Sequence, residues 1–161
     1  MCHPDSYRDH HHERSYQLLV IRKEMKATPP DGYKFNHVLL IDDNEIDNLI
    51  NSRIMTAHNF AAVVDVKTTT ESALDFLRAM SEASDNLPSI IFLDLSMPVL
   101  DGFAFLEEFA KMNDALKNNC KVVVLSSSIS PEDINRASTN PFVIKYINKP
   151  LSEMYLDAIG G

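Results

Sequence analysis

Polar residues that could take part in chemistry recur at or just beyond the ends of short apolar runs in this 161-residue chain. They are Asp42 and Asp43 after residues 37–41, Asp94 after 89–93, Ser126 after 121–125, and Lys149 after 142–147. Taken singly, each residue has an ordinary structural explanation. Asp42 and Asp43 can stabilise the N-terminus of the next helix through its dipole, and Asp94 can be a turn residue. Ser126 can be a hydroxyl at a strand end, and Lys149 can be a surface lysine. Together, clustered carboxylates repel one another unless a cation joins them, and oxygen ligands favour a hard ion such as Mg²⁺. The lysine leaves room for an anion between metal and ammonium, for which phosphate is the natural candidate.

Alternating elements are predicted to position these residues. The runs at 37–41, 62–66, 89–93, 121–125 and 142–147 are typical of buried strands, and a helical pattern follows each one. In the first helix the predicted inward stripe is Ile46, Leu49, Ile50 and Ile54; in the third it is Phe103, Leu106, Phe109 and Ala110. Gly102 is assigned to a backbone bend before that third helix. The pattern predicts an α/β fold with a parallel sheet covered on both faces, which binds ligands at the carboxyl ends of its strands.

Composition excludes several functional classes. With 15 basic and 23 acidic residues the net charge is −8, which argues against nucleic acid as a partner. Only 4 glycines are present, and no Gly-x-Gly-x-x-Gly or Walker-type loop can be written from them. Two cysteines, no apolar run of membrane-spanning length and no signal-peptide core predict a cytoplasmic protein without a membrane partner.

The chain divides near residue 37. Residues 1–36 carry 5 acidic and 6 basic residues, so the acidic excess belongs to residues 37–161. Residues 16–21 fit a strand or, with 22–26, a short helix, and the sequence does not decide between them. The histidines at 10–12 suggest metal binding, but adjacent histidines converge poorly on one ion. We therefore interpret residues 1–36 as an extension that is mobile or artificially added, and 37–161 as the folded domain.

Four segments resemble the receiver domain of two-component response regulators. They are Ile41-Asp-Asp43, Phe92-Leu-Asp-Leu-Ser-Met-Pro98 with Leu100-Asp-Gly102, Val124-Leu-Ser-Ser127, and Tyr146-Ile-Asn-Lys-Pro150. Leu100 stands where Met is common and Ser126 where Thr is more usual. The resemblance covers about residues 37–159 and implies a doubly wound (βα)5, flavodoxin-like fold with strand order 2-1-3-4-5.

The resemblance also implies roles for individual residues. Asp94 would be the phosphoacceptor, attacking a phosphohistidine to form an acyl phosphate. Asp43, Asp94 and the backbone carbonyl of Ser96 would bind Mg²⁺, with Asp42 acting through water. Lys149 would offset charge on the phosphoryl oxygens.

The resemblance further implies a conformational switch. Ser126 would hydrogen-bond the phosphoryl group, and Tyr146 would turn inward as Ser126 moves, changing the face formed by the fourth helix, fifth strand and fifth helix. Ser96 and Ser128 match positions that tune dephosphorylation by water. Tyr146 is alternatively an ordinary half-exposed strand aromatic.

The expected function is a stand-alone, phosphorylation-dependent switch. It is not a conventional enzyme, although Mg²⁺-dependent self-phosphorylation and autodephosphorylation of Asp94 are expected. The expected partners are a sensor histidine kinase or histidine phosphotransfer protein and a downstream protein target, with a homodimer also possible. One alternative, a phosphatase with an aspartyl nucleophile, is disfavoured because Ser96 stands where such enzymes place a second Asp. The other alternative is a receiver-like binding module that is never phosphorylated.

Overall fold

A five-stranded parallel sheet with the order β2-β1-β3-β4-β5 forms the centre of the protein. The computed structural model describes residues 29–83 and 86–160, so the segments considered at 10–12 and 16–26 lie outside the described residues. The strands are β1 (Phe35–Ile41), β2 (Ala61–Lys67), β3 (Ile90–Leu93), β4 (Lys121–Ser126) and β5 (Val143–Asn148). The helices are α1 (Glu45–Ala57), α2 (Thr70–Ala83), α3 (Gly102–Ala110), α4 (Asp114–Asn119), α5 (Pro131–Ser138) and α6 (Glu153–Ala158).

The predicted fold class and strand order are confirmed. All five predicted strands are present, with ends within two residues of the predicted ones. Six helices rather than five occur in the described residues, because Asp114–Asn119 forms a separate short helix before β4. Among these helices, none combines the length and apolar character needed to cross a membrane.

The sheet is buried on both faces, as expected for parallel strands. One layer places Leu39, Ile41, Ile91 and Leu93 against α2 and α3. The opposite layer places alternate residues of the same strands against Met55 of α1 and Leu156 of α6. Successive side chains of a strand point to opposite faces, so an uninterrupted apolar run supplies both layers.

The predicted inward stripe of α1 is wrong for three of its four residues, whereas the fourth, Ile54, is partly buried and packs against the core as predicted. Ile46, Leu49 and Ile50 are exposed, and we call these three residues the α1 outer face. The buried residues of this helix are Asn48, Asn51 and Met55. Asn48 turns inward because its side-chain amide donates to the backbone carbonyl of Asp42 at 2.8 Å. A buried carbonyl without a donor is costly, so this polar contact helps to set how α1 is rotated.

The apolar side of α3 also differs in part from the prediction. Leu106 and Phe109 are buried as expected, but the other fully buried aromatic is Phe105, which stacks on Phe109 with ring centroids 5.8 Å apart. Phe103 is only partly buried, and Ala110 is exposed. Because most residues of α3 are apolar, the spacing of its apolar residues did not specify which side of the helix is buried.

The corrected orientation of α1 predicts different costs for two alanine substitutions. Met55→Ala removes a fully buried side chain and should lower the free energy of unfolding by about 2–4 kcal/mol. Ile46→Ala, at a residue 70% exposed, should change it by less than about 0.5 kcal/mol. Urea denaturation of both variants measures the difference. Equal costs would contradict the orientation of the helix.

Candidate metal centre

Backbone pairing brings the predicted site residues to one edge of the sheet. The Asp94 amide donates to the Ile41 carbonyl at 2.9 Å, which places the end of β3 beside the end of β1. The Lys149 amide donates to the Ser126 carbonyl at 3.0 Å, which joins the ends of β4 and β5. The predicted cluster of strand-end residues is therefore present in the fold.

Three carboxylates converge at this edge. Asp42, Asp43 and Asp94 each offer an oxygen, and these oxygens lie within 4.8 Å of one another. Asp42 and Asp94 are buried, whereas Asp43 is exposed and leaves the cluster open to solvent. An all-oxygen donor set with one open side fits Mg²⁺, which keeps several waters when bound to proteins. The residues present therefore fit the predicted ion.

The side chain of Lys149 compensates part of this negative charge. Its Nζ lies 2.7 Å from Asp42 Oδ2, 2.9 Å from Asp47 Oδ2 and 3.8 Å from Asp94 Oδ2. Burial lowers the pKa of Lys149, but its contacts with Asp42, Asp47 and Asp94 outweigh burial and the net pKa is raised. The ammonium is thus kept protonated beside the cluster.

Asp94 is the carboxylate whose protonation is most affected. Burial and the neighbouring charges of Asp42 and Asp43 raise its pKa to about 6, against the opposing effects of Lys149 and the Ser96 amide. That amide donates to Asp94 Oδ1 at a long 3.4 Å. Without a metal ion, this carboxylate is costly to ionise in the folded protein.

The other predicted residues meet in the loop after β4. Ser126 Oγ is buried and accepts a hydrogen bond from the Ser128 amide at 3.1 Å. The Ser128 carbonyl accepts from the Tyr146 hydroxyl at 2.8 Å and from the Asn148 side-chain amide at 2.9 Å. The Ser128 hydroxyl donates to Asp133 at 2.8 Å. Tyr146 is half-buried and is joined to Ser126 through Ser128.

Sequence reasoning missed Asp47, Asn148 and Asp133. Asp47 lies in the first turn of α1, where an acidic residue is explained by the helix dipole alone. One signal was available, because helical side chains lean toward the N-terminus and so toward the strand end before α1. Asn148 gave no local signal, because the Ser128 carbonyl that it binds is distant in the chain. Asp133 gave none, because the Ser128 hydroxyl that it binds lies in the loop after β4.

Gly102 has a different role from the predicted bend. A Cβ at this position would lie 2.5 Å from the Asp94 carbonyl oxygen and 2.8 Å from Leu95 Cα. The first turn of α3 therefore packs directly on the backbone that carries Asp94. Glycine is required by this close approach, not by a left-handed backbone.

The raised pKa of Asp94 predicts a pH-dependent effect of Asp94→Asn on stability. The folded-state pKa lies above the ordinary 3.8, so the contribution of Asp94 to stability falls as the pH rises from about 4 to 6. In metal-free protein at pH 8, the neutral variant should be more stable than wild type by about 1–3 kcal/mol. Near pH 4 the difference should vanish. Urea denaturation in the presence of a chelator measures both values.

Asp157→Asn provides a matched control, since Asp157 is an exposed acid on α6. It should change stability little at either pH. A gain for Asp94→Asn that is the same at pH 4 and pH 8 would contradict the assignment of the effect to ionisation.

Comparisons with known proteins show the family to which this fold belongs. Residues 38–159 match the family model of the response regulator receiver domain. The probable methanogenesis regulatory protein FilR2 of Methanothrix harundinacea is 33% identical over 115 residues, which are 71% of this chain and 72% of FilR2. Other curated relatives are longer, and the chain spans 14% to 33% of three of them.

Solved structures give the same result. A two-component response regulator from Cytophaga hutchinsonii superposes with a TM-score of 0.73 at 32% identity, covering 78% of this chain and 93% of that one. The Mn²⁺-bound form of response regulator Rcp1 superposes with a TM-score of 0.61 at 25% identity, covering 77% and 88%. The chain therefore belongs to the response regulator receiver domains of two-component signalling.

Proposed function

We propose that the protein is a signalling switch in which Asp94 accepts a phosphoryl group from a histidine kinase or a histidine phosphotransfer protein. The observation that carries this proposal is the position of Asp94, which is buried beside Asp42, Asp43 and the Lys149 ammonium. A nucleophilic carboxylate next to a cation site and an ammonium suits the transfer of a charged phosphoryl group, because such transfer depends mainly on positioning and charge compensation.

In the proposed step, one Asp94 oxygen attacks the phosphorus of a phosphohistidine. The new O–P bond forms as the N–P bond breaks, and the donor histidine leaves with the electron pair of that bond. Lys149 donates to a phosphoryl oxygen, and the Ser126 hydroxyl donates to another. The carboxylate cluster of Asp42, Asp43 and Asp94 would hold Mg²⁺, which would supply further charge compensation to the phosphoryl oxygens. The product is an acyl phosphate on Asp94.

We assign the metal ligands from the same edge of the sheet. Receiver domains bind Mg²⁺ at an acidic pocket, and the Asp42, Asp43 and Asp94 cluster matches that chemistry. Asp43, Asp94 and the Ser96 backbone carbonyl would bind the ion directly, with Asp42 acting through a water molecule. The similarity to a Mn²⁺-bound response regulator supports a divalent ion here. Ser96, which is exposed, and Ser128 would tune the access of water to the acyl phosphate.

The hydrogen bonds after β4 support the proposed switch. When the Ser126 hydroxyl turns to the phosphoryl group, the Ser128 amide loses its present acceptor. The Ser128 carbonyl, which Tyr146 and Asn148 now bind, would shift with it. The face around Tyr146 would then differ between the two states and control the binding of a downstream protein.

The surroundings of the site fit protein partners. The α1 outer face is an exposed apolar surface on the helix that carries Asp47, and it suits docking of the phosphodonor. The acidic charge of residues 37–161 disfavours nucleic acid. We further propose a cytoplasmic location, a receiver domain over residues 37–161 following an extension at 1–36, and a possible homodimer through α5, β5 and α6.

Phosphorylation of Asp94 is directly testable. Wild-type protein with Mg²⁺ and acetyl phosphate should gain one phosphoryl group by intact mass spectrometry, because the acyl phosphate forms on the Asp94 carboxylate. Asp94→Ala should gain none, and a chelator should abolish the wild-type reaction. Two-dimensional NMR should record changes around Tyr146 in wild type only.

Asp75→Ala is the control, because Asp75 is an exposed acid on α2, and it should react like wild type. If wild type gains no phosphoryl group and binds no fluoroberyllate, the protein is a binding module that is not phosphorylated, and our proposal is wrong. Modification of Asp94→Ala to the same extent as wild type would also contradict it.

A further inference from the structure

The Lys149 ammonium has a second close carboxylate partner, Asp47, which none of the roles above uses. The Nζ to Oδ2 distance is 2.9 Å for Asp47 and 2.7 Å for Asp42. Both distances are those of charge-assisted hydrogen bonds, whereas Asp94 Oδ2 at 3.8 Å is beyond hydrogen-bonding range. In the described residues, Lys149 thus bridges the end of β1 and the first turn of α1.

Two bonds determine where the remaining N–H of this ammonium points. A lysine ammonium has three N–H donors on a flexible stem, and one contact leaves it free to rotate. With Asp42 and Asp47 each accepting one N–H, the direction of the third is set by geometry. Asp94 Oδ2, at 3.8 Å, is the third carboxylate oxygen near the ammonium, and a phosphoryl group on Asp94 would bring further acceptor oxygens within its reach.

Asp47 is itself held in place. Its backbone amide donates to the side chain of the N-cap residue Asn44 at 2.9 Å. The helix is tied to the same strand end by Asn48, whose side chain donates to the Asp42 carbonyl. The Asp47 side chain is 35% exposed and still reaches the Lys149 side chain, which is only 15% exposed. The Lys149 ammonium is therefore bound by two carboxylates, Asp42 at the end of β1 and Asp47 in the first turn of α1, and both are held by the backbone of their elements.

We propose that Asp47 is a positioning residue for phosphoryl binding, which together with Asp42 orients the Lys149 ammonium toward the group on Asp94. This inference rests on the proposed function of Asp94. Asp47 itself touches neither the phosphoryl group nor the metal, and it acts only through Lys149.

Fluoroberyllate, which mimics the acyl phosphate in the presence of Mg²⁺, is the probe. Asp47→Asn keeps the size of the side chain but removes its charge, and should weaken fluoroberyllate binding roughly threefold to tenfold, as expected for one partly exposed charge-assisted bond. Asp47→Glu restores the carboxylate on the same helical turn and should recover most of the affinity. NMR titration at fixed Mg²⁺ measures all three proteins.

A matched control and a metal-free measurement separate positioning from general effects. Glu45→Gln removes a charge from the same helical turn at an exposed residue, and should bind fluoroberyllate like wild type. In metal-free protein, the Lys149 side-chain NMR signal should shift in Asp47→Asn and stay in place in Glu45→Gln.

The outcomes distinguish this inference from the proposed function. If wild type fails to bind fluoroberyllate, the proposed function fails and the positioning role falls with it. If wild type binds, three results would overturn the positioning role alone. They are Asp47→Asn binding as tightly as wild type or more tightly, Asp47→Glu binding as weakly as Asp47→Asn, and an unchanged Lys149 signal in Asp47→Asn.

Discussion

The repulsion between carboxylates at one edge of the sheet is the constraint on which the site depends. Backbone hydrogen bonds align the ends of β1 and β3, so Asp42 and Asp94 cannot move apart without breaking strand pairing. Two such charges within 4.8 Å of each other repel by about 3.5 kcal/mol or more at an effective dielectric constant of about 20. Burial and, after it, this repulsion raise the pKa of Asp94, and the repulsion also explains why the cluster fits a divalent cation.

Lys149 reduces that repulsion, and its position depends on four of the five strands. It follows β5, an edge strand that reaches β1 only through β4 and β3. Its amide is bound to the last residue of β4, while its ammonium reaches the carboxylate at the end of β1 and the first turn of α1. The four strands β1, β3, β4 and β5 are therefore needed to place one charge. The same edge strand carries Tyr146 and Asn148, which bind the loop after β4.

The orientation of α1 follows from satisfying polar groups near this site. Asn48 supplies a donor to the Asp42 carbonyl, and Asp47, one residue earlier, is directed to Lys149. With Asn48 facing inward, Ile46, Leu49 and Ile50 remain outside. The consequence is that the helix directly after Asp42 and Asp43 carries the exposed, apolar α1 outer face.

The strands and the strand-end residues were predictable from the sequence alone. Parallel strands are buried on both faces, so their apolar runs are local features, and the residue after each run must lie at the carboxyl edge. The strand order and the roles of Asp94 and Lys149 came from the resemblance to a family, since spacing by itself does not specify them.

The tertiary structure decided the rotation of α1, the face of α3, the reason for Gly102 and the second partner of Lys149. Each depends on a contact between segments far apart in the chain. Asp47 and Lys149 are separated by 102 residues, and Gly102 is restricted by the backbone of Asp94 from the preceding strand end. Hydrophobic periodicity indicates which face of a helix is apolar. It carries no information on a distant carbonyl or ammonium that needs a hydrogen-bond partner, or on a distant backbone atom with which a side chain would clash. For this reason the helices and strands were predictable from the sequence, whereas their mutual orientation was determined only by packing and charge in the folded protein.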